Sequence, residues 1–178
     1  MTNLKFQRFT CLTETDEVGS DSPYFLFFIG NTNPTTKQAT STVKMVREDK
    51  WDNNIDSGDS RDISAGNQTI ATNVDSNTLV LVAVLEEDVN PDIVGINLLN
   101  VQIQAQASFA FFVSTQTLNL PQLATKMKAE FLDIINRNLV NDDMVNVARL
   151  TIPSKVGSLL TVHFSGDGGR YTTQFALA

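Results

Sequence analysis

The stretch Thr78–Leu85, TLVLVAVL, constrains the fold more than any other part of the chain. It is rich in β-branched residues, uncharged, and short enough for the interior of a sheet. Tyr24–Gly30, YFLFFIG, is a second strand of the same kind, aromatic enough to predict burial on both faces, and NTNPTT after it supplies turn residues. Neither these runs nor FAFFV approaches the roughly 20 apolar residues that cross a bilayer as a helix.

Around these two, further strands are predicted. Lys5–Leu12 alternates apolar and polar residues, as a strand with one buried face does. Thr40–Val46, NVARLTIP, SLLTVHFS and GRYTTQFALA are the others, the last two joined by the turn GDGG. Arg47–Asn67 reads as a long polar loop that Trp51 pins to the body, with a weak edge strand in RDISAGNQTIAT. Gly95–Val113 contains VQIQAQASFAF, whose period of two places Val101, Ile103, Ala105 and Ala107 on one face and the glutamines on the other. One helix is expected, Leu120–Leu139: Pro121 suits its first turn, and Leu123, Met127, Phe131, Ile134 and Ile135 form a stripe that packs against the sheet. Many short strands with one amphipathic helix inserted in the second half imply an all-β domain, a β-sandwich, spanning 1–178 as a single unit.

Composition narrows the functional classes. An apolar fraction of 42% with eleven phenylalanines supplies a core. A formal charge of −7 and a pI near 4.6 exclude a surface built for nucleic acid, which depends on a basic patch. Cys11 is the only cysteine, so no intrachain disulfide or multi-thiolate site forms, and it reads as a small buried hydrophobe. The N-terminus lacks the apolar segment of a cleaved signal peptide, and the chain is expected to be soluble, without a transmembrane segment. Catalysis is not expected: His163 reads as an ordinary strand residue, no serine lies in a nucleophile motif, and FSGDGGRY reads as a hairpin turn rather than a phosphate cradle.

Two acidic segments stand apart. TDEVGSDSPY, from Thr15 to Tyr24, places Asp16 and Asp21 on either side of Gly19, whose backbone freedom brings separated carboxylates toward one centre. EEDVNPDIVG, from Glu86 to Gly95, places Glu86 and Asp88 directly after the strongest strand, with Asp92 closing the other side. Calcium takes six to eight oxygens at roughly 2.3–2.6 Å, and loops converging at one end of a sandwich supply them. The same residues also suit ordinary solvated turns. A third acidic stretch, EDKWDNNIDSGDSRD, lacks the pattern of a twelve-position calcium loop and reads as a hydrated loop.

The phrase DEVGSDSPYFLFF resembles the first calcium loop of the C2 domains, with Asp16, Gly19, Pro23 and Tyr24 in the family spacing, Ser22 at the position of the second aspartate and Asp21 displaced by one. LVLVAVLEEDVNPDIVG resembles the later loop, with Glu86 and Asp88 in its alternating acidic positions and Asp92, Val94 and Gly95 near its end, about two residues short. The two phrases anchor Phe9 to Gly95. The resemblance implies an antiparallel Greek-key sandwich that binds calcium (Ca2+) through Asp16, Asp21, Glu86, Asp88 and Asp92. Gly19 and Gly95 then permit the loop geometry, and Pro23 with Tyr24 fixes the exit into the sheet. It further implies a partner, a phospholipid surface or a protein, met by Val18 and Val89 at the loop tips; Trp51, in the long polar segment, is a separate candidate contact for a lipid interface or a sugar ring. Two other readings stay open: a metal-independent assembly protein that uses the glutamine face or the helix, and a carbohydrate-binding module that uses Trp51. Oligomeric state is left open.

Overall fold

The computed structural model describes the chain apart from residues 1, 16–20, 34, 49–50, 52–54, 88–90, 140–141 and 154 and the side chains of 91–96. Its elements are β1 (Leu4–Thr13), β2 (Pro23–Asn33), β3 (Gln38–Val46), β4 (Ser60–Asp62), α1 (Ala65–Gln68), β5 (Thr69–Ala71) and β6 (Thr78–Glu86), followed by α2 (Pro91–Thr115), α3 (Leu120–Asn138), β7 (Asp143–Leu150), β8 (Leu159–Gly166) and β9 (Gly169–Leu177). The strands form two antiparallel sheets. One has the order β4-β1-β9-β8, with β5 also paired to β1, and the other the order β3-β2-β6-β7.

The sheets face each other across an aromatic core. Phe6 and Phe9 of β1 and Phe175 of β9 meet Phe25 and Phe27 of β2, Phe6 lying edge-on to Phe25 at 4.8 Å between ring centres. Edge-on aromatic pairs add about 0.5–1.5 kcal/mol beyond the area they bury. The second sheet is covered on its other face as well. Because side chains alternate across a strand, β2 sends Phe25, Phe27 and Ile29 into the space between the sheets and Tyr24, Leu26 and Phe28 to the far side. The same alternation in β6 divides Val80, Val82 and Val84 from Leu79, Leu81, Ala83 and Leu85. This two-sided burial is why both runs read as continuously apolar. On the far side lie α2 and α3, so the layers run sheet, sheet, helix pair.

The amphipathic stripe of α3 does pack on this sheet: Leu123, Met127, Phe131, Ile134 and Ile135 are buried there. Asn119 caps its start in a capping box with Gln122, and Pro121 sits in the first turn. The expected strand in Gly95–Val113 is a helix instead, and the described residues hold two long helices where the sequence predicts one. In α2 it is Val101, Ala105 and Phe109, four residues apart, that are buried, while Ile103 and Ala107, expected beside them, are exposed. The alternation V-Q-I-Q-A-Q-A spans barely two helical turns. It lies in a segment too long for a strand and rich in Leu, Ala and Gln, which favour helix. Pro91 opens this helix, so Asp92 and Gly95 belong to its first turns and not to a loop.

The remaining connections follow the turn residues. β8 and β9 join through Asp167 and Gly168, both at positive φ (47° and 74°), the backbone that a two-residue hairpin turn requires. The long polar segment after β3 contributes β4, α1 and β5 at the edge of the first sheet. Among the described residues no helix is long and apolar enough to cross a membrane.

Candidate functional site

Antiparallel pairing brings the two acidic segments to one end of the sandwich. Pro23, the first residue of β2, is opposite Glu86, the last of β6, and Glu86 is in turn opposite Asp143, the first of β7. Ser22 N donates to Glu86 Oε1 at 2.8 Å, and Glu87 N to the Ser22 carbonyl at 3.2 Å, which ties the foot of the first acidic loop to the foot of the second. The long polar segment reaches the same end. Asp21 and Ile55 exchange backbone hydrogen bonds of 3.0 and 3.3 Å, and the Ser57 amide donates to Glu14 Oε1 at 2.5 Å.

Within this end Asp21 is buried, at 3% exposure, and its carboxylate accepts from the Thr15 amide, from Thr15 Oγ1 at 2.9 Å and from the Tyr171 hydroxyl. Burial, and then the bond to Asp21, push the Tyr171 phenol far above its ordinary range, so it stays protonated and donates. A buried carboxylate held by donors from a strand and a loop is a structural acceptor. It fixes the start of the first acidic loop against β9. Glu86 is also buried, and Tyr24 donates to Asp142 Oδ2 at 2.5 Å, its phenol likewise raised by burial and by Asp142. Arg47 at the end of β3 pairs with Glu87 at 2.6 Å.

Asp21, Glu86, Pro23 and Tyr24 thus meet at one end of the molecule. Asp16, Val18, Gly19, Asp88 and Val89 lie outside the described residues, as does the side chain of Asp92. Among the described residues no three of Asp, Glu, His and Cys gather as metal ligands. Trp51 corrects the expectation of a ligand contact: it is fully buried, edge-on to Phe9 at 4.9 Å and to Phe25 at 6.1 Å, and so works as the anchor of its loop. A sugar or lipid cannot reach its ring in this arrangement.

Sequence reasoning missed the partners of this end. Asp142 and Asp143 join it because β7 pairs with β6, and NDD just before a predicted strand was a usable signal. Nothing local foretells the pairing of Tyr171 with Asp21, 150 positions away. Cys11 and His163 stand as ordinary strand residues: the Cys11 thiol is buried and raised by that burial to about 11, and exposed His163 Nδ1 shares a 2.9 Å hydrogen bond with Thr172 Oγ1.

No family model matches the chain, and no curated protein does. Among solved structures it is similar to human GIVD cytosolic phospholipase A2 in complex with methyl gamma-linolenyl fluorophosphonate, at 11% identity and a TM-score of 0.39, over 99% of this chain and 16% of that one. The same enzyme with that inhibitor and terbium chloride gives 10% identity and a TM-score of 0.34, over 99% of this chain and 17% of that one. The chain spans about a sixth of the length of these structures. Likeness at this level carries no argument about what the chain does.

Proposed function

We propose that the protein is a non-catalytic binding module that works through the acidic end of its sandwich and recruits calcium there, in the manner of a C2-like Greek-key domain. The observation that supports this reading is the bond from Ser22 N to Glu86 Oε1, which holds the two acidic loops foot to foot. Asp21 is set aside from the ligand set, since its oxygens serve Thr15 and Tyr171. The proposed ligands are Asp16 and Asp88, with Glu86 and Asp92 closing the shell. Bound calcium neutralises and orders the loops, and an anionic lipid surface or a protein then completes its coordination from outside.

The test is calcium titration of thoroughly chelated protein by calorimetry, with Asp88→Ala as the variant. Saturable heat that the variant loses is the expected result. Absence of saturable heat up to about 10⁻³ M, the weak limit of extracellular calcium modules, overturns the reading. A second reading, metal-independent assembly, is favoured by one observation. The outer face of α2 carries Leu99, Ile103 and Phe111, each more than half exposed, on a helix with no charged residue from Ile93 to Thr115. A helix apolar on both faces ordinarily has a neighbour on both. Light scattering in chelator separates the two readings: a dimer abolished by Ile103→Glu supports assembly, and a monomer excludes it.

A further inference from the structure

The end of the molecule opposite the acidic loops has a chemistry of its own. There β2 runs out at Thr32 and Asn33, β3 begins after Lys37, Asn77 precedes β6, and the connection from α2 to α3 passes over them. Together they line an open-mouthed cavity of about 220 Å³. Phe112, Val113, Leu118, Leu120 and Leu123 give its lining an apolar part. A dry cavity of about 150 Å³ suffices for benzene, so this one has room for a single ring and a small polar substituent.

The rim offers donors. Asn33 Oδ1 accepts from the amides of Thr35 and Thr36 at 3.0 and 3.1 Å, Asn119 Oδ1 from the Gln122 amide at 2.9 Å, and Gln116 Oε1 from Lys126 Nζ at 2.5 Å. These bonds turn each oxygen toward its partner, and each of the three amides also carries an NH2 group able to donate to a ligand. Lys37, an exposed residue, is among those that line it, and Lys126 stands 5.9 Å above the Phe112 ring. Among the described residues no carboxylate lines the cavity, in a chain whose formal charge is −7. Asp75, close in sequence to Asn77, turns its carboxylate onto the Asn77 amide at 2.8 Å and the Thr78 hydroxyl at 3.2 Å.

Lys37 is a second, independent sign. It ends the β2–β3 turn with its amide donating to the Asn33 carbonyl at 2.9 Å and its backbone at φ 54°, in the left-handed region. Hairpin turns put glycine or asparagine at such a position, because any other side chain there is strained. A lysine at this position is unfavourable for the turn itself, and unusual backbone of this kind concentrates where a side chain serves a ligand.

We propose that this cavity binds a small apolar monocarboxylate of the size of benzoate, its ring or short chain between Phe112 and the leucines and its carboxylate on Lys37 and the amide rim. Apolar walls with a few convergent polar groups are the usual build of a small-molecule site. The proposal does not depend on calcium or on the acidic end.

The probe is 4-fluorobenzoate, with 4-fluorobenzyl alcohol as its uncharged counterpart, followed by fluorine NMR and by amide shifts of the intact protein. Saturable binding is expected for the carboxylate, with shifts at Asn33, Asn119 and Leu120, and about tenfold or more weaker binding of the alcohol, as suits loss of a hydrogen bond to a charged group. Lys37→Gly separates ligand from fold. It weakens binding of the carboxylate by about tenfold or more while the thermal midpoint holds or rises, because glycine accepts the turn's backbone without strain. Three results overturn the proposal: no saturable binding, equal binding of carboxylate and alcohol, or a Lys37→Gly protein that binds as wild type.

Discussion

The docking of α2 on the second sheet includes one especially close approach, and a double-mutant cycle measures it. Gly30, in the middle of β2, lies beneath the ring of Phe109, which is fully buried and edge-on to Phe28 at 5.3 Å. A Cβ on Gly30 falls 2.6 Å from Phe109 Cζ, with the two neighbouring ring carbons at 2.9 Å. Gly30→Ala therefore overpacks, at a cost of about 1–3 kcal/mol. That cost is reduced by the roughly 0.5–1 kcal/mol by which alanine improves on glycine within a strand. Phe109→Ala empties the site and costs about 3–5 kcal/mol. If the ring is what forbids the methyl group, the alanine at position 30 does no harm once the ring is gone. The double variant then resembles Phe109→Ala alone, or exceeds it slightly in stability, and the coupling energy is about 1–3 kcal/mol. Urea unfolding of the four proteins gives the cycle, with Phe109→Leu in place of the alanine if the full truncation leaves too little stability to measure. Additivity within about 0.5 kcal/mol refutes the packing described here, because residues in contact do not behave independently.

Three further outcomes follow from the sandwich and its acidic end. Gly166→Ala places a Cβ 2.0 Å from the Val145 carbonyl oxygen, so β7 and β8 must separate; the expected loss is about 2 kcal/mol or more, read as a drop in the urea midpoint. Cys11 is expected to resist alkylation at pH 8 in the folded protein and to react at once in denaturant, since it is buried and its thiol is raised to about 11; rapid labelling of native protein contradicts that burial. Stability is expected to fall as pH rises from about 9 toward 11. Folding raises the Cys11 thiol and the Tyr24 and Tyr171 phenols, so the unfolded chain releases these protons first and is favoured as pH rises through that window. Thermal melts between pH 8 and 11 check the sign, and a midpoint that climbs over this range refutes it.

What the sequence carries is local. The runs from Tyr24 and from Thr78 read as two-faced interior strands because both faces are covered, a fact recorded in every residue of each run. The stripe of α3 and the Asp167–Gly168 turn are legible for the same reason, since each is decided within a few residues. The role of Trp51 as a loop anchor follows from its size and its polar surroundings.

What the sequence does not carry depends on what an element meets. In α2 seven residues of alternating Val, Gln, Ile and Ala fit either period, and only the sheet beneath selects Val101, Ala105 and Phe109 as the inner face. Asp21 is an equally good candidate for a metal ligand and for a structural acceptor until Tyr171 is brought against it by the pairing of β1 with β9. Likewise, the cavity at the far end is assembled from a hairpin, a turn and a helix connection that are scattered from Thr32 to Leu123 and carry no common motif. The sequence by itself determined the strands and the aromatic core, because burial leaves a periodic record along the chain. The tertiary structure alone decided which carboxylates, amides and lysines face one another, because those distances are set by strand order and register and not by position in the chain.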